Sequence, residues 1–251
     1  MKLKIKKTAF SLTEVLMAAG ILSIGIMLVA TMFPAALYLT TTASEKTMAA
    51  IVADEAFAKM QLFGIVDPTK STERFVRYWQ DMSNKIDQDE YIYPSFSGNA
   101  QYSWVPLCKK LNSDSEDMRY LVKVFVTRKT NPNQKFYTDA TYSDANDWPV
   151  PVATNSFVFI SPKYLKLTRG EEQELINPPP STIIVDNVSG RIFRIVNRND
   201  DKVTLDRDWD KDIKEPEIIL YIPSGIGPDG KPSGKNPDIE VFQKIIDFGK
   251  K

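Results

Sequence analysis

The sequence predicts an α+β protein in which one long amino-terminal, membrane-spanning helix precedes a mainly antiparallel β-sheet domain. Residues 15–44 carry no charged side chain, and about 20 apolar residues are enough for an α-helix to cross a bilayer. Beyond residue 99, short runs of aromatic and β-branched residues are bounded by Pro, Gly, Asn and Asp. Such runs indicate strands, and the short turns between them favour antiparallel pairing.

The composition argues against several classes of function. Basic and acidic side chains balance at 32 each, so the net charge gives no attraction to nucleic acid, and we expect no nucleic-acid partner. The chain contains no histidine, which is the commonest general base and a common metal ligand. Its one cysteine, Cys108, cannot form a disulfide within the chain. We therefore expect no enzymatic activity and no catalytic residues.

A basic leader precedes the apolar run. Lys2, Lys4, Lys6 and Lys7 place the amino terminus on the cytoplasmic side by the positive-inside rule, and everything after the helix on the other side. Glu14 lies near the start of the apolar run. A charged side chain in mid-bilayer costs about 2.5 kcal/mol or more, so such a residue is a functional candidate. The alternative is that Glu14 only reaches the membrane interface beside the lysines.

Three kinds of amino-terminal segment fit these features. A secretory signal peptide would be cut near Thr41-Thr42-Ala43, but its apolar region is usually only about 7 to 15 residues long and would not contain Glu14. A plain signal anchor is the second alternative. The third is a pilin-type signal, and we favour it.

The segment Phe10-Ser11-Leu12-Thr13-Glu14-Val15-Leu16, after its basic leader, resembles the processing and methylation site of type IV pilins and type II secretion pseudopilins. The continuation over residues 17–25 is similar to minor pilins, and the resemblance covers about residues 4–35. It implies that residues 1–9 are a leader, that a prepilin peptidase cuts between Ala9 and Phe10, and that the new amino group of Phe10 is methylated. The family usually has Gly where this chain has Ala9.

The resemblance also implies a structural role and a set of partners. The subunit would sit as a single-pass protein in the bacterial inner membrane, surrounded by lipid, with its carboxy-terminal domain periplasmic or extracellular. It would assemble into a type IV pilus or a type II secretion pseudopilus through contacts with other pilin or pseudopilin subunits and an inner-membrane assembly platform. Glu14, the fifth residue after cleavage, would pair with the terminal amine of a neighbouring subunit, which offsets the desolvation of both charges.

Two other functions stay open. The outer domain is large enough to act as a binding or adhesion module at a filament tip. The chain could equally be a signal-anchored, outward-facing protein that never polymerises. The sequence identifies neither the machine that uses the subunit nor a ligand.

The long helix is expected over residues 10–64, with its first half in the membrane. Apolar residues recur at intervals of three or four from Met48 to Phe63, and interspersed alanines favour helix. Gly64 is a plausible stop. The second half would be amphipathic and packed on the chain's own sheet.

Two β-rich regions follow the helix. Residues 65–154 should form a pilin-like β domain with a short amphipathic helix at 71–86, and its polar stretch 129–154 reads as a long loop or boundary. Residues 155–251 should form a β-rich extension or a second β subdomain. Residues 239–248 fit either a helix or a strand, and we favour the strand. The other predicted strands are Ala100–Leu107, Tyr120–Arg128, Ser156–Ile160, Thr182–Val185, Arg191–Asn197, Lys202–Leu205 and Glu217–Ile222.

One acidic segment is a candidate calcium site. Asp206, Asp208, Asp210 and Asp212 alternate along the chain and are followed by Glu217, a spacing that resembles the ligands of a calcium loop. Lys211 stands where the tight turn of such a loop needs glycine, so an acidic hairpin tip is the alternative. Apart from calcium, we expect no cofactor.

Overall fold

The computed structural model of the protein describes residues 11–63, 76–77, 88–95, 100–112, 114, 116–129, 131–137, 145–154, 157–167, 178–209, 219–227, 233 and 236–249. Residues 1–46 and 47–251 form two compact units. The second, residues 47–251, is termed the outer unit. Within the described residues, one long α-helix and a short 3-10 helix are accompanied by fourteen strands. The elements are α1 (Leu12–Phe63), β1 (Val76–Arg77), the 3-10 helix (Gln88–Tyr91), β2 (Ile92–Tyr93), β3 (Tyr102–Lys110), β4 (Arg119–Arg128), β5 (Phe136–Tyr137), β6 (Ala145–Asn146), β7 (Val152–Thr154), β8 (Phe157–Ser161), β9 (Tyr164–Leu167), β10 (Ile183–Asp186), β11 (Ile192–Asn199), β12 (Lys202–Leu205), β13 (Ile219–Tyr221) and β14 (Asp238–Asp247).

Helix α1 is a single helix of 52 residues, about 78 Å long at a rise of 1.5 Å per residue. It contains Pro34 and ends at Phe63, one residue before the glycine that was expected to stop it. Its large apolar side chains from Leu12 to Leu39 are exposed. The helix is long and apolar enough to cross a membrane.

The second half of α1 carries a buried stripe. Its members are apolar residues at helical spacing, three of them alanines: Ala49, Val52, Ala53, Ala56, Phe57 and Met60. The stripe packs on one face of the first sheet, where the side chains in contact include Trp104, Cys108, Tyr120, Val122, Val124, Val126 and Ile246. Alanines allow the helix to lie close to the sheet because they add little volume between the two backbones.

The first sheet has five antiparallel strands in the order β1-β3-β4-β14, with β2 also paired to β3. Strands β3 and β4 pair in unbroken register from Tyr102↔Arg128 to Lys110↔Tyr120. Strand β14 lies on the other side of β4 and pairs from Asp238↔Thr127 to Asp247↔Arg119. Strand β14 is therefore an edge strand of the sheet that α1 covers.

The second sheet has seven antiparallel strands in the order β7-β13-β10-β11-β12-β9-β8. Six of these strands contribute to one core, which includes Phe157, Leu165, Ile184, Phe193, Ile195, Val203 and Tyr221. Bulges in β11, between Ile195 and Asn197, and in β8, between Phe159 and Ser161, bend the strands. Trp209 joins this core and stacks on Phe193 with ring centroids 4.4 Å apart. The second sheet thus has an apolar core that its own strands and Trp209 supply.

A third apolar cluster joins the two sheets. Val105, Leu107 and Phe125 come from the first sheet, and Ile183, Val185 and Leu220 come from the second. Alternate residues of β4 and β10 thus belong to different cores, because successive side chains of a strand point to opposite faces. Residues 47–251 form one compact unit for this reason.

The predicted fold class is confirmed as one long apolar helix followed by antiparallel β-sheets. All seven predicted strands are present within three residues of their expected ends, and residues 238–247 form a strand as favoured. The polar stretch 129–154 contains the short strands β5, β6 and β7. At Val76–Arg77 the helix expected over 71–86 is wrong, because these residues pair with Cys108 and Leu107 as β1. The remaining residues of that range, 71–75 and 78–86, lie outside the described residues.

The two sheets do not divide at residue 154. Strand β7, which precedes this point, pairs with β13 in the second sheet. Strand β14, near the end of the chain, pairs with β4 in the first sheet. Pairing between strands far apart in sequence decided this, and hydrophobic periodicity carries no information about it.

Packing of the α1 stripe gives a direct test. Ala56 is fully buried and Ala58 on the same helix is exposed. Ala56→Leu should lower the free energy of unfolding of the outer unit by about 1–3 kcal/mol, because extra methylenes overfill a packed core. Ala58→Leu is the matched control and should stay within about 0.5 kcal/mol of the parent. Chemical denaturation followed by tryptophan fluorescence measures both, and equal effects would contradict the packing.

Candidate functional site

Glu14 lies in the first turn of α1 and closes a capping box with Ser11. The Glu14 carboxylate Oε2 accepts a hydrogen bond from the Ser11 backbone N–H at 3.0 Å and another from the Ser11 hydroxyl at 3.2 Å. In return, the Ser11 Oγ accepts the backbone N–H of Glu14 at 3.3 Å. These bonds satisfy amide donors that have no partner within the helix. Glu14 is therefore held at the amino terminus of the helix by its own chain.

The geometry leaves one carboxylate oxygen for a further partner. Both hydrogen bonds within the box end on Oε2, and Glu14 is exposed. Within the part of the chain that the structure describes, Oε1 accepts no hydrogen bond. A cationic donor from another molecule could thus approach Oε1 without opening the cap, and the helix dipole also favours negative charge here. Ala9 and Phe10 lie outside the described residues.

The helix surface next to Glu14 is apolar and uncovered. Leu12, Ile21, Met27, Val29 and Leu39 are each more than 60% exposed, and none of the most apolar 18-residue window is buried by the rest of the protein. Exposed apolar area of this extent is unfavourable in water. A helix with these properties could be a membrane anchor or a signal sequence.

Five hydroxyl groups of the apolar stretch are satisfied inside the helix. They donate to a backbone carbonyl of the preceding turn at 2.8–2.9 Å: Ser23 to Ala19, Thr31 to Leu28, Thr40 to Ala36, Thr41 to Leu37 and Thr42 to Tyr38. Polar groups paired in this way are tolerated in a low-dielectric medium. The helix therefore presents paired rather than free hydroxyl groups to its surroundings.

A second polar cluster joins α1 to the segment around the 3-10 helix. The Lys59 ammonium lies 2.8 Å from Glu55 Oε1 and 2.7 Å from Glu90 Oε2, and it donates to the Glu90 carbonyl at 3.0 Å. It also donates to the Ser95 hydroxyl, which in turn donates to Glu55 at 3.1 Å. A serine beside a lysine resembles a nucleophile–base pair, but here the ammonium already donates to two carboxylates. We interpret the cluster as a structural contact that holds residues 88–95 against α1.

Another lysine lies inside the outer unit. Lys123 in β4 is 1% exposed, and its ammonium donates to Gln243 Oε1 at 2.7 Å. Burial lowers the pKa of Lys123 to about 8. A lysine with a lowered pKa is a potential nucleophile, but a substrate has no approach to a side chain this enclosed. Its hydrogen bond instead links β4 to β14 across the first sheet.

Two of the five calcium candidates are described, and both have protein partners. Asp206 follows β12; its Oδ1 accepts the Arg194 backbone N–H at 2.8 Å, and its Oδ2 pairs with Arg207 at 3.1 Å. Asp208 lies 4.0 Å from Lys163. Asp210, Asp212 and Glu217 lie outside the described residues. Within the described part of the chain, no group of three or more His, Cys, Asp or Glu side chains could hold a metal, so calcium stays a prediction.

The sequence contains a signal for the contact between Ser11 and Glu14. Serine followed three residues later by glutamate, just before an apolar run, is the pattern of a capping box. The Lys59–Glu90 contact had no such signal, because 31 residues separate its partners.

Comparisons with known proteins give no assignment. No protein-family model matches this chain, and neither a curated protein nor a solved structure matches it significantly.

The cap predicts a local effect of Ser11. Ser11→Ala should weaken the first turn of α1 by about 0.5–2 kcal/mol, because the amide of Glu14 loses its acceptor. Ser23→Ala removes a hydroxyl that only donates within the helix and should leave that turn unchanged. Amide hydrogen exchange of the full chain in detergent micelles measures this. Equal exchange near residues 13–15 in both variants would contradict the capping role.

Substitution of Lys59 should destabilise the fold, because we assign its cluster a structural role and no catalytic one. Lys59→Met should lower the free energy of unfolding of the outer unit by roughly 1–3 kcal/mol, because two half-buried carboxylates lose a charged donor. Lys166→Met on the exposed face of β9 is the control and should cost less than about 0.5 kcal/mol. Thermal and chemical unfolding measure both. If Lys59→Met is as stable as the parent chain, the Lys59 cluster does not stabilise the fold and the interpretation is wrong.

Proposed function

We propose that this chain is a pilin-like structural subunit, a minor pilin or pseudopilin. A prepilin peptidase would cut it between Ala9 and Phe10, and the new Phe10 amine would be methylated. The subunit would then assemble through α1 into a type IV pilus or a type II secretion pseudopilus. Its amino terminus would be cytoplasmic and its β domain would lie outside the inner membrane.

The observation that carries this proposal is the uncovered apolar surface of α1 together with a carboxylate at its first turn. Lipid can cover the apolar surface before assembly, and the same surface of other subunits can cover it afterwards. Glu14 is the exception, because a carboxylate without a positively charged partner is unfavourable in an apolar medium even when Ser11 donates to it. An amine supplied by the Phe10 of a neighbouring subunit would offset that cost and fix the axial position of the subunit.

The capping box makes this pairing stereochemically simple. Oε2 stays with Ser11, so the carboxylate keeps its orientation while Oε1 receives the amine of a neighbour. A preoriented partner loses less side-chain entropy on binding than a free one. The second half of α1 is fixed to the first sheet through its buried stripe, which supports a subunit whose helix carries the outer domain into a filament.

A second candidate function is a binding module at a filament tip. The second sheet supports it, because this sheet builds an apolar core of its own beyond the one that α1 covers. A subunit whose only role is to form the shaft does not need that additional layer. A low number of copies per filament, with loss of adhesion or secretion on deletion, would favour this function.

Mass spectrometry of the mature amino terminus tests the processing step. The expected product begins at Phe10 with one added methyl group on its amine. Retention of Met1 would point to a signal anchor that does not polymerise, and an amino terminus near Ser44 would point to a secretory signal peptide. Ala9→Gly, which restores the residue usual in the family, should give the same product at an equal or higher yield.

The role of Glu14 is tested by assembly. Glu14→Ala should abolish or reduce by more than tenfold the incorporation of the subunit into filaments, because the cost of desolvating the neighbour's amine is no longer offset. Glu116→Ala removes an exposed carboxylate of the outer unit and is the control for charge loss. Sheared-filament fractions and immunoblots measure incorporation. Assembly of Glu14→Ala at the level of the parent chain would exclude the pairing.

A further inference from the structure

Polar contacts between the two sheets concentrate at the start of β14. The Asp238 carboxylate Oδ2 accepts the backbone N–H of Ile183 in β10 at 3.1 Å. Two residues later, Glu240 Oε1 pairs with the Arg194 guanidinium of β11 at 3.2 Å. Both contacts link the first sheet to the second. They lie beside the apolar cluster that joins the sheets, to which Ile183 also belongs.

The second oxygen of Asp238 lies in an environment that is unfavourable for an ionised carboxylate. Oδ1 is buried and accepts no hydrogen bond from the described residues. A buried, unpaired charge is much more costly than a buried, unpaired hydroxyl. This surrounding therefore favours the neutral carboxylic acid over the carboxylate.

The charged groups around Asp238 come from both sheets. Arg194 of β11 favours the ionised form, as does the N–H of Ile183 in β10, whereas Glu240 of β14 itself opposes ionisation. Strand β4 faces Asp238 with the uncharged Thr127. Burial is the largest effect and raises the pKa of Asp238 to about 7, with Glu240 acting in the same direction.

We propose that Asp238, Glu240 and Arg194 form a proton-controlled latch between β14 and the second sheet, closed while Asp238 carries a proton and weakened when Asp238 ionises. In the closed form Glu240 is the carboxylate that pairs with the Arg194 guanidinium, which also donates to the Ser181 carbonyl, and Asp238 is a neutral acceptor for the Ile183 N–H. Release of the proton to solvent leaves two carboxylates to share one guanidinium, and it leaves Oδ1 charged without a donor. The latch then opposes the packing of the sheets.

The direction of the pH dependence follows from linkage. In the unfolded chain an aspartic acid has a pKa of about 3.9, so between about pH 4 and 7 the folded chain holds a proton that the unfolded chain has lost. The stability that this group contributes is complete below about pH 4. It declines as the pH rises and is lost above about pH 7.

Hydrogen exchange across a pH series tests the latch in the full chain in detergent micelles. After correction for the intrinsic exchange rate, protection of β10 and the start of β14 should fall as the pH rises from about 4 and should level off at about pH 7. Strand β8 (Phe157–Ser161), at the edge of the second sheet three strands away from β11, is the internal control and should change less. Asp238→Asn cannot ionise and should show no such fall.

Two further variants distinguish a titrating latch from a merely structural contact. Glu240→Gln should move the pH at which protection levels off to a lower value, because it removes the neighbouring negative charge. Arg194→Gln should move that pH to a higher value, because it removes the positive charge. A structural contact would change the amount of protection and leave that pH where it was. Constant protection of the parent chain from pH 4 to 8.5, an unmoved levelling pH in both variants, or an equal loss in β8 would each overturn the proposal.

Discussion

Burial of the first sheet on both faces is the constraint on which the rest of the outer unit depends. Val124 and Phe125 are neighbours in β4, yet one belongs to the core under α1 and the other to the cluster shared with the second sheet. Each large apolar side chain buried in this way contributes about 1.5–3 kcal/mol. The helix, the first sheet and the second sheet therefore stabilise one another, and loss of either covering layer would expose a row of apolar side chains of β3 and β4.

Helix α1 meets two different environments along one continuous backbone. From Ala49 to Met60 it has a single buried stripe, and its other side is polar or mixed. From Leu12 to Leu39 it is apolar all round and uncovered. A helix can meet both conditions because its backbone hydrogen bonds are internal, so it needs neither water nor a neighbouring strand to satisfy them. This separation of surfaces lets one element hold the outer domain and, in the proposed function, pack against lipid or other subunits.

In the sequence Glu14 is the one acidic residue near the start of an apolar run, which suggests a charge without a partner. The structure shows a capping role instead. In the structure its carboxylate is not an unpaired charge, because Ser11 donates to it from both its backbone and its hydroxyl. The capping role and the proposed assembly role are compatible, since each needs one oxygen. The two oxygens of Asp238, at the junction of the two sheets, also differ in their partners. There, Asp238 has one satisfied oxygen and one without a donor among the described residues, so its protonation state affects the fold.

The sequence by itself determined the long helix and eight of the fourteen strands in the described residues. The other strands, β1, β2, β5, β6, β7 and β9, are only two to four residues long and were not predicted. The uncharged run of residues 15–44 specified the long helix, and the β-branched runs specified seven strands and favoured the eighth, β14, because hydrophobic periodicity and strand propensity are local properties. Ser11 and Glu14 are three residues apart, so the cap was also available from the sequence. Only the tertiary structure decided that β14 returns to β4, that β7 joins the second sheet, and that Asp238 meets Ile183 and Arg194. These contacts join residues that are 44 or more positions apart, and they form because the whole chain must cover both faces of one sheet.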